Sequence, residues 1–259
     1  MEIIKFKKDK GNTYKIYFDD DTVIDLYDDV IVKYNLLVNK SLDTKTFDEI
    51  TSYNIFLNGY YKSIKYINKK LRSEVEIRDY LKKIDVKSTD IDKIVKLLYK
   101  DGYLNKEVFF KAYINDKYNL SNEGPNKIIK DLIKHNMKEN EFLDYLYSLD
   151  WNIKIEKLVN KKIKSNHNLS ITVLKTKIVN DLVLLGYEKH DIMKILDNSF
   201  FDNDVEILKK EYIKIKNKYS KKYRDSELDF KIKNYLYGKG FNIEDIKMVI
   251  YEDKVWKNE

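Results

Sequence analysis

The sequence predicts a mainly α-helical fold: tandem three-helix-bundle repeats forming an elongated, curved array behind a small N-terminal β hairpin or sheet. Three features predict it. Apolar residues recur at every second position before about Asp28 and at every third and fourth position after it. Pro125 is the only proline, so nothing of that kind interrupts a helix elsewhere. An Ile-x-x-x-Leu pair returns four times at a near-constant interval.

The β elements come first. Ile3 to Phe6 supplies one strand, and Tyr14, Ile16 and Phe18 alternate with Lys15 and Tyr17 to supply a second. Asp19-Asp20-Asp21 then offers turn chemistry before Val23, Ile24 and Leu26. Three adjacent carboxylates could hold a divalent cation, but a hairpin turn is the plainer account. Phe47, Ile50, Leu57, Tyr61, Ile64 and Leu71 share an alternating three-four spacing interrupted by Asn54 and Asn68, which predicts one long amphipathic helix with a partly polar seam. Gly59 sits inside it and weakens it. Such a seam can self-associate, although packing on the first repeat is simpler.

The repeat comprises Ile77/Leu81, Ile128/Leu132, Ile178/Leu182 and Ile232/Leu236, at intervals of 51, 50 and 54 residues. Four positions after each Leu stands Asp85, Asn136, Gly186 or Gly240, residue types that tolerate the left-handed conformation ending a helix. An apolar residue follows each time: Val86, Met137, Tyr187 and Phe241. Asp90, Glu141, Asp191 and Asp245 suit the first turn of a second helix, each preceding an apolar residue (Ile91, Phe142, Ile192, Ile246). The apolar pairs Ile94/Val95, Tyr145/Leu146, Ile195/Leu196 and Val249/Ile250 continue it. Third helices fit within Lys106 to Lys117, Ile153 to Lys164 and Asp204 to Tyr219. The expected organisation is therefore a β-containing segment at 1–44, a long helix with the first repeat at 45–122, second and third repeats at 123–168 and 169–222, and a partial helical-hairpin repeat at 223–259.

Composition narrows function mainly by exclusion. The chain has 259 residues and no cysteine, so disulfides, thiolate nucleophiles and cysteine-bound zinc drop out, and a reducing compartment such as the cytoplasm is the default. Met1 to Lys10 lacks the apolar run of a signal peptide, and the uncharged stretch Thr51 to Tyr61 falls far below the roughly 20 apolar residues of a membrane span. A net charge of +7 favours polyanions weakly, since 43 acids are mixed among 50 bases; all but Arg72, Arg78 and Arg224 of those bases are lysine. His135, His167 and His190 are too far apart for a helical metal pair, and His135 and His190 read as surface residues near helix ends. Phosphate-cradling glycine loops and serine-nucleophile motifs are missing, so no cofactor and no enzymatic activity are expected.

Three blocks carry a resemblance. Arg72-Ser73-Glu74-Val75-Glu76-Ile77-Arg78-Asp79-Tyr80-Leu81-Lys82-Lys83, the run Asp101-Gly102-Tyr103-Leu104-Asn105-Lys106-Glu107-Val108-Phe109-Phe110-Lys111-Ala112-Tyr113, and Gly124-Pro125-Asn126-Lys127-Ile128-Ile129-Lys130-Asp131-Leu132 stand in the order of signature blocks of the RecX family, which they resemble. The likeness is tightest from Leu71 to Leu132 and extends more weakly to both ends. Asn105-Lys106 replaces a usual Asn-Asp, and Ile84-Asp85 and His135-Asn136 stand where Lys-Gly is common, so two expected lysines are absent. The resemblance implies a non-enzymatic regulator that binds the RecA filament on single-stranded DNA, lodges in its groove and inhibits filament growth, ATP hydrolysis and strand exchange. A monomer is the expected state, although the residues leave oligomeric state open. Weak direct DNA binding would accompany it. Candidate electrostatic contacts are the basic residues in or beside these blocks: Lys69, Lys70, Arg72, Arg78, Lys82, Lys111, Lys117, Lys127 and Lys130. The arginines rank first, because guanidinium can grip phosphate or carboxylate bidentately. Tyr103, Phe109 and Tyr113 could stack on bases, but their helical spacing reads as core.

Two other readings remain open. Helical arrays serve as protein-interaction adaptors with no nucleic-acid role. A plain DNA-binding protein would use the hairpins as helix-turn-helix units, against which the acids early in each second helix would repel phosphate.

Overall fold

A computed structural model describes residues 1–166, 168–201 and 204–255; His167 lies outside them. The alternating N-terminal residues form an antiparallel sheet of three strands in sequence order, β1 (Ile3–Lys8), β2 (Thr13–Phe18) and β3 (Val23–Tyr27). Alternation buries Ile3, Ile16, Phe18 and Leu26 in one core. The three aspartates make a turn, in which Asp20 accepts the Thr22 N–H at 3.1 Å and Asp21 takes φ 63°.

Helix α1 (Asp28–Lys33) leads to α2 (Thr44–Ile67), whose Asp43 cap accepts the Thr46 N–H at 2.7 Å. The polar seam has a purpose: Asn54 accepts the Tyr27 N–H and donates to the Asp25 carbonyl, satisfying the edge of β3. Gly59 sits where α2 meets the next hairpin closely, since a Cβ there would stand 2.8 Å from Ile94 Cδ1. Leu71, expected to close this helix, lies beyond it. Ser73 is an extended N-cap (φ −77°, ψ 163°) for the next helix, so α2 has to end before that helix can begin.

The remaining helices are α3 (Glu74–Lys83), α4 (Ser88–Lys100), α5 (Lys106–Leu120), α6 (Pro125–Lys134), α7 (Glu139–Tyr147), α8 (Trp151–Lys164), α9 (Ile171–Leu184), α10 (Lys189–Asp197), α11 (Asp204–Tyr219), α12 (Asp225–Gly238) and α13 (Ile243–Val255). The protein is thus mainly helical with a small N-terminal sheet. All eight Ile and Leu residues of the repeat are at most 1% exposed, which makes them the fixed points of the hairpins. Asp85, Asn136, Gly186 and Gly240 all have positive φ. After three of these stops the chain turns back with one pattern: the N–H groups of Val86, Tyr187 and Phe241 donate to the carbonyls of Leu81, Leu182 and Leu236.

Contacts divide the chain into one unit of Met1–Ala112 with Lys134–Met137, and another of Tyr113–Ile133 with Lys138–Glu259. Inside the first, α2 packs on α3 and α4 around Ile77, Leu81, Ile94 and Leu98. Inside the second, α8 packs on α9 and α10, and α11 packs on α12 and α13 around Leu208, Tyr212, Leu236 and Ile246. In each group, therefore, a hairpin shares its core with the helix that precedes it in sequence.

A second recurring contact joins a helix start to a hairpin turn. In the second unit the Gly124 N–H donates to the Leu185 carbonyl at 2.7 Å and the Asn126 N–H to the Gly186 carbonyl at 3.0 Å. The Ser170 N–H meets the Lys239 carbonyl at 3.2 Å in the same way. The backbones touch at the first of these junctions, where a Cβ on Gly186 would lie 2.8 Å from the Lys127 nitrogen. Gly186 also has φ 96°, outside what a side chain tolerates. Gly186→Ala is therefore expected to cost about 3 kcal/mol from backbone strain plus overpacking. Gly102→Ala, at φ 77° with nothing within 4 Å of a new Cβ, should cost only about 1 kcal/mol from strain alone. Urea unfolding midpoints of the two variants measure the difference, and equal losses would mean that the close backbone approach at Gly186 adds nothing to the cost of strain.

Candidate functional site

The first signature block builds a small polar assembly at the start of α3. Ser73, 1% exposed, accepts the Glu76 N–H on its hydroxyl, and Glu76 accepts the Ser73 N–H at 2.9 Å, a reciprocal cap. The other oxygen of Glu76 takes Arg72 Nη1 at 2.8 Å. The Arg72 guanidinium lies 4.0 Å from the centre of the Tyr66 ring, which stacks in turn on Tyr80. Arg72 Nε is buried and meets no hydrogen-bond partner. Burial alone would raise the Glu76 carboxyl, but the Ser73 N–H and Arg72 outweigh it and hold that carboxyl below the usual range.

His135 completes the assembly. Its Nδ1 lies 2.9 Å from Ser73 Oγ, and its ring meets Phe109 edge-on at 5.2 Å. His135 is half-buried and stands just past the end of α6, and Ser73 and Phe109 contact its ring on two sides, so a histidine near a helix end also serves the fold. His190 is exposed, in the first turn of α10.

Arg78 is also engaged within the fold: Nε meets Glu74 and Nη1 meets Asp92, each at 2.7 Å. Hydrogen bonds to Asp92 and Glu74 push its guanidinium further up. The two arginines are thus tied to carboxylates of their own fold. Lys111 pairs with Glu107, while Lys117 and Lys127 both pair with Glu123. Lys82 stands 68% exposed with only a loose 3.8 Å pair to Asp79. Lys69 and Lys70, in the turn after α2, and Lys130, on α6, are exposed as well. Of the aromatic candidates, Phe109 is core at 5% exposure, Tyr113 donates to Asp131, and Tyr103 is 39% exposed, edge-on to Tyr60. Among the described residues no cluster of three or more His, Cys, Asp or Glu could hold a metal, and no helix is long and apolar enough to cross a membrane.

Sequence reasoning missed the contacts between helix starts and turns. Their signal is a spacing: Ser73 to His135 and Asn126 to Glu188 are both 62 residues apart, and Asn126 Nδ2 donates to Glu188 at 2.6 Å.

Residues 202–250, which span α11 to α13, match the third three-helix domain of RecX. Curated relatives named "Regulatory protein RecX" align along almost the whole chain. The Lactococcus lactis protein is 29% identical over 244 residues, 90% of each chain. The Bacillus velezensis protein is 27% identical over 262 residues, 97% of this chain and 99% of that one. Among solved structures, a crystal structure of regulatory protein RecX covers 76% of this chain and 98% of its own at TM-score 0.67 and 22% identity. RecX from Lactobacillus salivarius covers 56% and 97% at TM-score 0.53 and 23% identity, and both structures share the fold.

The assembly at Ser73 carries an acid-linked prediction. A carboxyl held low in the folded state stabilises above its unfolded value, and that stability is lost as pH falls through the folded value. Glu76→Gln keeps the cap but cannot titrate. The wild-type protein is expected to be the more stable of the two at neutral pH, with the gap closing as pH drops below about 4.5. Thermal melts across that range check this, and a gap independent of pH would detach Glu76 from the acid response.

Proposed function

We propose, from the chain's membership in the RecX family, that it binds the RecA filament on single-stranded DNA and modulates it, mainly by inhibiting recombinase activity, ATP hydrolysis and strand exchange in DNA repair and recombination. The observation that carries this reading is the nearly full-length alignment with relatives named regulatory proteins. The action is non-enzymatic and takes place in the cytoplasm on a protein and nucleic-acid partner. The exposed lysines Lys69, Lys70, Lys82 and Lys130 contribute long-range attraction to a DNA-containing polyanion. Arg72 and Arg78 act one step back, holding the start of α3 and the α3–α4 hairpin in shape.

The test is the rate of single-stranded-DNA-dependent ATP hydrolysis by RecA as the protein is titrated in. Inhibition is expected well below one protein per recombinase monomer. Lys69→Gln/Lys70→Gln/Lys82→Gln should require several times more protein for the same inhibition, most clearly at low salt where exposed charges act at longest range. No inhibition at equimolar protein would sink the filament reading and favour the adaptor alternative.

A further inference from the structure

Between Asn152 and Asn180 the chain carries seven lysines against one acid, Glu156, so α8 and the first part of α9 hold nearly all of the net charge of +7. Most of the second unit's other lysine-rich helices lack this imbalance; α11, for example, sets Lys209 against Glu252, Lys214 against Glu211 and Lys216 against Asp253. Three of the seven are bound within the fold. Lys162 pairs with Asp181 at 2.5 Å, Lys175 lies over the Phe201 ring, and Lys154 donates to the carbonyls of Tyr118 and Ser121 at the end of α5.

Lys157, Lys161 and Lys164 differ. They fall at i, i+4 and i+7, a single stripe about 10 Å long on α8, and all three are exposed with no ion pair among the described residues. The helix dipole accounts for cations in the last turn only, which leaves Lys157 unexplained. Like charges one turn apart repel, so the stripe is a standing cost until an anion lies along it.

A groove with different chemistry lies beside the stripe, lined by Asn152, Glu156, Asn160, Lys194, Asn198 and Phe200. Phe200 is 85% exposed. A bare ring next to amide groups and a row of cations is the combination that holds an unpaired nucleic-acid strand: cations follow the backbone and the ring stacks on a base.

We propose that this face of α8 binds single-stranded nucleic acid, with successive phosphates along Lys157, Lys161 and Lys164 and a base stacked on Phe200 in the groove. Glu156, facing that groove, repels phosphate and so favours the base there, with the backbone on the stripe. A duplex fits less well, because its bases are already stacked on one another. The identity of the natural ligand, the strand within the recombinase filament, rests on the reading above; the contact itself does not require the recombinase.

The test uses the full chain and a fluorescein-labelled oligothymidylate, with binding followed by anisotropy from about 50 to 200 mM salt. Across that range wild-type affinity should fall about 20-fold more than that of Lys157→Gln/Lys161→Gln/Lys164→Gln, because three phosphate contacts are gone. Lys87→Gln/Lys96→Gln/Lys100→Gln removes the same charge from exposed positions at or near the ends of α4 and along it, and should keep the wild-type salt slope. Phe200→Ala should weaken binding about fivefold or more at every salt concentration without changing the slope. A duplex of matching length should bind more weakly and ignore Phe200→Ala. Unchanged melting temperatures separate these effects from folding. Equal slopes for the wild-type and α8 variants, an equal drop in the α4 control, or no binding of the oligothymidylate would overturn the proposal. Because no recombinase is present, such a failure leaves the ATPase result standing, and loss of ATPase inhibition with the strand still bound would count against the filament reading alone.

Discussion

The fold depends on meeting two sets of unfulfilled peptide groups with each other. A helix start leaves N–H donors without partners and a helix end leaves carbonyl acceptors without partners. In this chain the start of α6 is set on the turn that ends α9, and the start of α9 on the turn that ends α12. Donors and acceptors then pair directly, through Gly124 with Leu185, Asn126 with Gly186, and Ser170 with Lys239. The arrangement requires backbone to approach backbone. A Cβ on Gly240 would collide with the Val173 and Ser170 side chains, just as one on Gly186 would collide with Lys127. Pro125, at the first position of α6, fits the same logic, since it has no N–H to satisfy.

Where the turn carries side chains, the contact changes chemistry but keeps its place. Asn136 takes the left-handed position with φ 59°, and its neighbour His135 reaches the N-cap of α3 through Ser73 Oγ. A side-chain hydrogen bond thus does what main-chain bonds do at Gly186. The cost is a coupled polar assembly: Ser73, Glu76, Arg72 and His135 each bond another, and removing one takes a hydrogen bond from a buried or half-buried neighbour. This explains why the scarce arginine at position 72 is held inside the protein. Its planar cation can stack on Tyr66 and bond Glu76 at once, which lysine could not do.

The helical repeat was legible because its determinants are local. Ile-x-x-x-Leu buries one face, and Asp, Asn or Gly four residues later takes a conformation few residues tolerate. The sheet was legible for the same reason, its period of two being plain from Tyr14 to Leu26. What connects the repeats was not, because Ser73 and His135 or Gly124 and Gly186 meet across 62 residues with no local pattern to announce it. The candidate contact surface was legible only as a pool of charge. Nothing in the residues alone separates Arg78, clamped by Glu74 and Asp92, from Lys82, which stands in solvent. Pairing is a property of the folded geometry, and here it takes the arginines out of the pool and leaves certain lysines in it.

That separation also explains how a basic face can exist on so small a helix without undermining it. Lys161 and Lys164 lie in the last turn of α8, where positive charge is favoured by the helix dipole, and the Asp150 cap at the other end accepts two backbone N–H groups. The buried side of the helix, Trp151, Ile155 and Val159, is apolar and fixed against its neighbours. Stability is therefore supplied by the apolar face and the two ends, with Lys154 and Lys162 adding contacts to the end of α5 and to Asp181. The stripe of Lys157, Lys161 and Lys164 is left to carry charge for a partner, because none of the three makes an ion pair among the described residues.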